Sequence, residues 1–212
     1  SSLGYTEFDD GAMNHTYADM NGNVCPSSIA ADVAASKGIL VVNSAGNQGN
    51  SFWRYISAPA DADSILAVGA VDSAGYKASF SSWGPSSDGD TKPNVATMGR
   101  RAAVASFDGS YGTSSGTSFS SPVLAGAAAC LWQAHPTKTN MEVKRAIEQS
   151  ANYFNSPGDS LGYGIPNFLN AYLQLGGTTF DLSANDALVS VSPNPFTDEL
   201  RIAFYAAASQ SL

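Results

Sequence analysis

Residues 115–132, SGTSFSSPVLAGAAACLW, join a row of small hydroxyl side chains directly to an apolar helical segment. The segment has no charged residue, and no polar stripe appears before Gln133. A helix that is apolar on all sides is normally buried inside a protein. Pro122 falls in the first turn of this helix, where the missing N–H of proline is tolerated. The sequence therefore predicts a buried helix whose N-terminus presents hydroxyl groups.

Upstream of this helix, the uninterrupted apolar run at residues 39–42 and a similar run at residues 64–71 predict buried strands. Such runs are typical of strands covered on both faces in a parallel sheet, which makes the fold class α/β. Ahead of the first run, the alanine-rich segment that begins at Pro26 predicts a helix, with Gly38 just past its end. Further predicted elements are a short strand at 101–106, a helix from the capping box at 139–142 to about residue 150, and a last short helix from Pro166.

Composition and charge narrow the classes of function. Charged residues make up 13% of the 212 residues and the net charge is −8, which argues against binding to nucleic acid or to anionic membrane surfaces. The longest apolar run, residues 124–132, is too short to cross a bilayer, so no membrane insertion is expected. Cys25 lies in a polar segment and Cys130 in the apolar helix, and two free thiols are favoured over a disulfide. No Cys/His spacing predicts a metal site.

Two polar positions carry candidate chemistry. Ser118 would lie at the N-terminus of the buried helix, where the helix dipole and free N–H groups favour a developing negative charge. Asn47 directly follows a predicted strand, and sites in open α/β sheets collect at the carboxyl ends of strands. Its amide could donate to the oxyanion of an acyl-transfer reaction. Taken singly, an ordinary N-cap serine is the favoured interpretation of Ser118, and a turn residue that of Asn47.

Together and in this order, these segments resemble the subtilisin-like serine peptidases. GTSFSSPVLAG, residues 116–126, is similar to the family's nucleophile motif Gly-Thr-Ser-x-x-x-Pro-x-x-Ala-Gly. SFSSWGP at 79–85 and KPNVATMG at 92–99 also resemble family segments, although the family more often has Asp and Pro where Asn94 and Met98 stand. The resemblance implies a three-layer α/β fold with a mainly parallel sheet and a buried central helix, with its N-terminal part missing, followed by a short C-terminal β segment.

The resemblance also assigns roles to individual residues. It implies that Ser118 is the nucleophile and that Asn47 and the Ser118 N–H form the oxyanion hole. It implies a substrate cleft whose depth depends on the loop 52–59. The substrate-binding residues that it implies are Ser2, Leu3 and Gly4 on one wall, Ala45 and Gly46 on the other, and Gly116 and Thr117 beside the nucleophile.

A base and its orienting carboxylate are not evident in the chain. A nucleophilic serine needs a general base and a carboxylate that orients the base. In the family that the chain resembles, these residues occur along the chain in the order Asp, His, Ser. The only histidines, His15 and His135, do not lie in a His-Gly-Thr motif, and no Asp-Ser/Thr-Gly motif occurs. We therefore expect a truncated serine endopeptidase that is inactive by itself. One alternative is a non-catalytic relative, either a pseudoenzyme or a peptide-binding surface protein. Another is a lipase-type hydrolase, but Ser118 does not fit the Gly-x-Ser-x-Gly motif of that class because Ser120 stands where the second glycine is needed.

The C-terminal segment has a different composition. Residues 189–204 resemble the start of the sorting domain used by the type IX secretion system, through Pro193-Asn194-Pro195-Phe196, Leu200 and Ile202; a plain β-hairpin is the alternative. The expected domains are a partial peptidase domain at 1–175, a linker at 176–187 and a partial sorting domain at 188–212. The resemblances imply a secreted or surface-attached monomer that acts on polypeptides and contacts the secretion machinery through its tail. Calcium binding is implied only by the family resemblance. No Asp-rich loop in the sequence identifies a calcium site, so no cofactor is assigned.

Overall fold

The computed structural model describes residues 1–178, and beyond them the backbone of two strands, Leu188–Ser192 and Arg201–Tyr205. The chain divides into two compact units, Ser1–Gly177 and Thr178–Leu212. The first unit contains the predicted sheet, the predicted helices and all candidate site residues.

A parallel sheet forms the centre of the first unit. Its strands are β1 (Val42–Ser44), β2 (Leu66–Val71) and β3 (Val95–Met98), in the order β1-β2-β3. All residues of β1 and β2 are buried, which confirms the prediction of parallel strands covered on both faces. The first strand begins later than the apolar run 39–42 because the Ile39 N–H still donates to Ala34 O of the preceding helix.

Four α-helices, a hairpin and two short 3₁₀ helices, Gly11–Met13 and Tyr17–Asp19, complete this unit. The helices are α1 (Pro26–Ser36), α2 (Thr117–Ala134), α3 (Asn140–Gln149) and α4 (Phe168–Gln174). The antiparallel hairpin of β4 (Ala102–Ala105) and β5 (Tyr111–Ser114) leads directly into α2. The predicted capping box forms at α3: the Glu142 N–H donates to Thr139 Oγ1 at 3.2 Å, and the Thr139 N–H donates to Glu142 Oε2 at 2.8 Å.

The main core lies between the sheet, α2 and α3. One stripe of α2, formed by Leu124, Ala128 and Leu131, packs against the buried strand residues. The spacing of four and three residues places these side chains on one side of the helix. Val143 and Ile147 of α3 belong to the same cluster. Burial of this stripe fixes the direction of α2 and therefore the position of its N-terminus.

The opposite side of α2 is exposed, contrary to the prediction of a helix buried all round. Val123 is 50% exposed, and Gly126 and Cys130 are also exposed. The physical reason is that a helix without charged residues has two apolar faces to cover, and residues 1–178 cover one of them.

The second unit contains an antiparallel pair, β6 (Leu188–Ser192) and β7 (Arg201–Tyr205), with Leu188 opposite Tyr205. Of the tail residues that resemble a sorting domain, Ile202 lies in β7, whereas residues 193–196 and Leu200 lie outside the described residues. No helix in the described part of the chain is long and apolar enough to cross a membrane.

Candidate active site

Ser118 is the second residue of α2 and is partly buried. Gly116 precedes the helix as its N-cap. Because Ser118 lies in the first helical turn, its backbone N–H has no acceptor within the helix. The N–H and the positive end of the helix dipole can therefore stabilise an anion next to the Ser118 side chain.

Asn47 lies three residues beyond the end of β1, and its side chain is held against the start of α2. Its Oδ1 accepts hydrogen bonds from the Thr117 N–H at 2.8 Å and from Thr117 Oγ1 at 2.9 Å. A backbone N–H requires an acceptor, so the bond to Thr117 identifies the oxygen of the amide. The Nδ2 group is thus left free to donate, and it lies 3.5 Å from the point that a Cβ on Gly116 would occupy.

Thr117 connects the two halves of this arrangement. Besides donating to Asn47, its Oγ1 accepts a hydrogen bond from the Gly46 N–H at 3.2 Å. Thr117 is fully buried. Both hydrogen bonds of its hydroxyl are made with the loop that follows β1. Gly46 itself has φ +106°, and a Cβ there would lie 2.8 Å from Ser82 Oγ, so this position requires glycine. The loop and the helix start consequently form one rigid unit.

Residues of both expected walls contact this unit. On the first wall, Ser2 Oγ donates to Ser118 O at 3.3 Å, and Leu3 O accepts from Asn43 Nδ2 at 3.5 Å. Leu3 is 60% exposed, whereas Ala45 of the second wall is buried. The residues expected from the sequence to line a cleft are thus brought together around the N-terminus of α2.

Residues 1–3 also run beside the free edge of β1. The Ser1 nitrogen donates to Val42 O at 2.6 Å, and the Ser44 N–H donates to Ser1 O at 3.0 Å. These contacts place Ser1 beside the edge strand β1.

Neither histidine contacts Ser118. His135 is the C-cap of α2, so at 1.5 Å per residue it lies about 25 Å from Ser118 along the helix. His15 lies in the loop before α1, where its backbone N–H donates to Thr6 O. The centroid of its ring lies 5.2 Å from that of Phe8, and the two rings are perpendicular. These contacts explain His15 as a structural loop residue. The ring of His135 packs against Tyr172, with 4.9 Å between the ring centroids, and its buried Nε2 has no hydrogen-bond partner among the described residues.

The cysteines and the acidic residues do not form part of this arrangement. Both thiols are free, as the sequence favoured; Cys25 is buried, and desolvation raises its pKa to about 12. The carboxylates of Asp63, Asp88 and Asp90 are exposed and come within 4.8 Å of one another, which is close enough to share a cation. Exposed carboxylates often cluster without an ion, so calcium binding stays an expectation from the family resemblance.

One residue that lies between the two walls was missed by the sequence analysis. Ser57 is 7% exposed, and its Oγ approaches both Gly4 and Gly46. The only signal in the sequence was the position of Ser57 in the loop 52–59, which was expected to control the depth of the cleft. The choice of Ser57 within that loop depends on tertiary packing.

The fold is a subtilisin-like α/β fold, with a parallel sheet and a helix that presents Ser118 at the sheet's carboxyl edge. The chain belongs to the subtilase family of serine peptidases (peptidase S8), whose family model matches residues 2–165.

Individual relatives agree with this membership. The chain is 41% identical over 134 residues to subtilisin from Bacillus pumilus, covering 63% of this chain and 46% of that protein. It is 40% identical over 134 residues to subtilisin E from Bacillus subtilis (strain 168), covering 63% of this chain and 33% of that protein. The solved structure of the self-cleaved protease domain of PatA superimposes with a TM-score of 0.57 at 27% identity, covering 71% of this chain and 56% of that one. The matched part therefore spans less than half the length of these two curated relatives.

Proposed function

We propose that this chain carries the nucleophile and the oxyanion hole of a subtilisin-like serine endopeptidase. The observation that supports this most strongly is the pair of hydrogen bonds from Thr117 to Asn47 Oδ1, because they leave the amide Nδ2 free beside the N-terminus of α2. A free N–H at Ser118 and a free side-chain amide are the two donors that a tetrahedral oxyanion requires.

In the proposed reaction, Ser118 Oγ bonds to the scissile carbonyl carbon while its proton passes to a general base. The negative charge moves to the carbonyl oxygen, which accepts hydrogen bonds from Asn47 Nδ2 and the Ser118 N–H. The carbon–nitrogen bond then breaks, the base returns the proton to the departing amine, and an acyl-enzyme ester remains on Ser118. Water, activated by the same base, cleaves the ester and regenerates the hydroxyl.

We propose that the base and its carboxylate come from polypeptide that is not part of this chain. The distant His135 and the loop contacts of His15 support this, because neither ring contacts Ser118. The exposed apolar side of α2 also supports it: Val123 and its neighbours offer a surface for further polypeptide at the helix that carries Ser118. Residues 1–212 alone are then inactive.

The second candidate is a non-catalytic member of the family that binds peptides without cleaving them. The absence of a histidine contact to Ser118 among residues 1–178 favours it as an alternative. The same cleft would bind the peptide, and Ser118 would act only as a hydrogen-bonding group.

The remaining roles are proposals that rest on resemblance. We propose polypeptide substrates, a monomeric enzyme, and secretion or attachment to the cell surface. Residues 188–212 are proposed as the start of a type IX sorting domain that the secretion machinery recognises, joined by a linker at 176–187 to the peptidase part at 1–175. The names of the subtilisin relatives support the peptidase part of this proposal.

The test compares residues 1–212 with the longest natural polypeptide that contains them, using fluorescent casein as substrate. We expect the longer polypeptide to release fluorescence and residues 1–212 to release none. Hydrolysis by residues 1–212 alone would refute the external base. A longer polypeptide that binds casein peptides without cleaving them would establish the non-catalytic alternative.

A further inference from the structure

Two exposed arginines, Arg100 and Arg101, follow β3 and line a depression in the protein surface. The depression has a volume of about 440 Å³, and its lining also includes Asp72, Ser73, Met98 and Thr113. Asp72 Oδ1 accepts two hydrogen bonds from backbone N–H groups of its own turn, each at 3.0 Å. The carboxylate in the lining is therefore held by its turn rather than by the arginines.

Neither arginine is neutralised within the described chain. The ion pairs among residues 1–178 lie in and beside α3, and neither Arg100 nor Arg101 takes part in one. The chain as a whole has a net charge of −8, so two adjacent unpaired guanidinium groups reverse the charge locally. Because guanidinium groups bind carboxylates through paired N–H donors, an acidic group suits this depression.

The backbone at Arg101 is strained. Its φ is +55°, in the left-handed region that glycine adopts without steric cost. The Arg101 N–H donates to Ser115 Oγ at 2.9 Å, which helps to fix the residue at the start of the hairpin. Strained conformations of this kind cluster at functional sites. A charged side chain thus stands at a position where glycine would suit the backbone better.

The arginines lie close to Ser118, on the side of the site opposite residues 1–4. The Gly116 N–H donates to Gly99 O at 2.8 Å, so the residue before the two arginines contacts the N-cap of α2. Residues 1–4 begin beside β1, whereas the arginines follow β3, and β2 separates these two strands. A substrate whose acyl side contacts residues 2–4 therefore extends toward the arginines beyond the scissile bond.

We infer that Arg100 and Arg101 select substrates with an acidic side chain, aspartate or glutamate, on the leaving-group side of the scissile bond. This inference rests on the proposed peptidase function and names its substrate class. Ser115, which contacts Arg101, lies three residues before Ser118, and three residues of chain span at most about 11 Å. At about 3.3 Å per residue, an extended substrate reaches the arginines with its second or third residue after the scissile bond, P2′ or P3′.

The first experiment measures kcat/KM of the longest natural polypeptide on peptide substrates that differ only in glutamate against glutamine, at P2′ or at P3′. The wild type should prefer glutamate at one of these positions by about threefold to tenfold. Raising the NaCl concentration from about 0.05 M to about 0.5 M should reduce the preference, because salt screens exposed charges. A ratio near one at both positions would overturn the inference.

Charge variants of the arginines identify the source of the preference. Arg100→Gln combined with Arg101→Gln should abolish it, and Arg100→Glu combined with Arg101→Glu should favour lysine over glutamate at the same position. Arg145→Gln removes one charge at an exposed position of α3 and is the matched control, which should keep the wild-type ratio. A preference for glutamate that survives the two glutamine substitutions would refute the role of the arginines.

Arg101→Gly separates selection of the substrate from a purely structural role. Because glycine adopts φ +55° without strain, this variant should leave the melting temperature nearly unchanged while it weakens the preference for glutamate. A lower melting temperature with an unchanged preference would assign Arg101 a structural role instead.

A binding measurement separates this inference from the proposed function. The glutamate and glutamine peptides are titrated calorimetrically into Ser118→Ala, with and without Arg100→Gln and Arg101→Gln, after melting curves confirm that the variants are folded. If the longest natural polypeptide hydrolyses no substrate, the peptidase function fails, but tighter binding of the glutamate peptide that the arginine substitutions abolish still supports the inference. Equal binding of the two peptides, or binding of neither, would refute it.

Discussion

Replacing Ser118 with alanine is expected to lower kcat for peptide hydrolysis by at least about 10⁴-fold in the longest natural polypeptide that contains the chain. The reason is that no acyl-enzyme can form without the hydroxyl at the N-terminus of α2. Binding and the oxyanion donors remain, so KM should change little. Initial rates with a chromogenic peptide substrate, together with active-site titration, provide the measurement.

Ser115→Ala is the matched control for this variant. Ser115 lies three residues earlier, and its Oγ accepts a hydrogen bond from the Arg101 N–H at 2.9 Å. Its loss removes one exposed hydrogen bond and should leave kcat nearly unchanged. If Ser118→Ala retained more than about a tenth of the wild-type kcat, Ser118 would not be the nucleophile.

Replacing Asn47 with alanine is expected to lower kcat by about 10²-fold to 10³-fold, with a much smaller effect on KM. In the proposed oxyanion hole, Nδ2 donates to an oxygen whose negative charge develops in the transition state, so its loss weakens mainly the transition state. The measurement is the separate determination of kcat and KM on the same peptide substrate.

Asn50→Ala is the control for Asn47, because Asn50 lies in the same loop and is exposed. It should leave both constants close to the wild-type values. An Asn47→Ala variant that raises KM with kcat unchanged would show that the amide binds substrate and transition state equally, and would remove Asn47 from the oxyanion hole.

The parallel sheet could be predicted because its strands are largely apolar runs, and the meeting of Asn47 with the start of α2 was implied by the family resemblance of the two segments. The exact start of β1 could not be predicted, because the Ile39 N–H still donates to Ala34 O of α1. The exposed side of α2 was also not predictable, since the composition of a helix shows which faces are apolar and not what covers them. Val123 and Leu124 are adjacent aliphatic residues, and only the packing of the folded chain leaves Val123 exposed and buries Leu124.

The position of Ser57 shows a second limit of reading the sequence. A serine in a loop is chemically ordinary, and only the folded chain brings its hydroxyl close to Gly4 and Gly46, which are distant in the sequence. Likewise, the hydroxyl of Thr117 could be assigned to the nucleophile motif, but its bonds to Gly46 and Asn47 depend on the folded geometry.

The most direct test of the nucleophile is to treat the longest natural polypeptide with a fluorophosphonate and locate the adduct by tandem mass spectrometry. We expect one adduct, on Ser118, that forms in step with the loss of peptide hydrolysis. An adduct on a different serine, or hydrolysis that continues while Ser118 is fully modified, would contradict the assignment of Ser118 as the nucleophile.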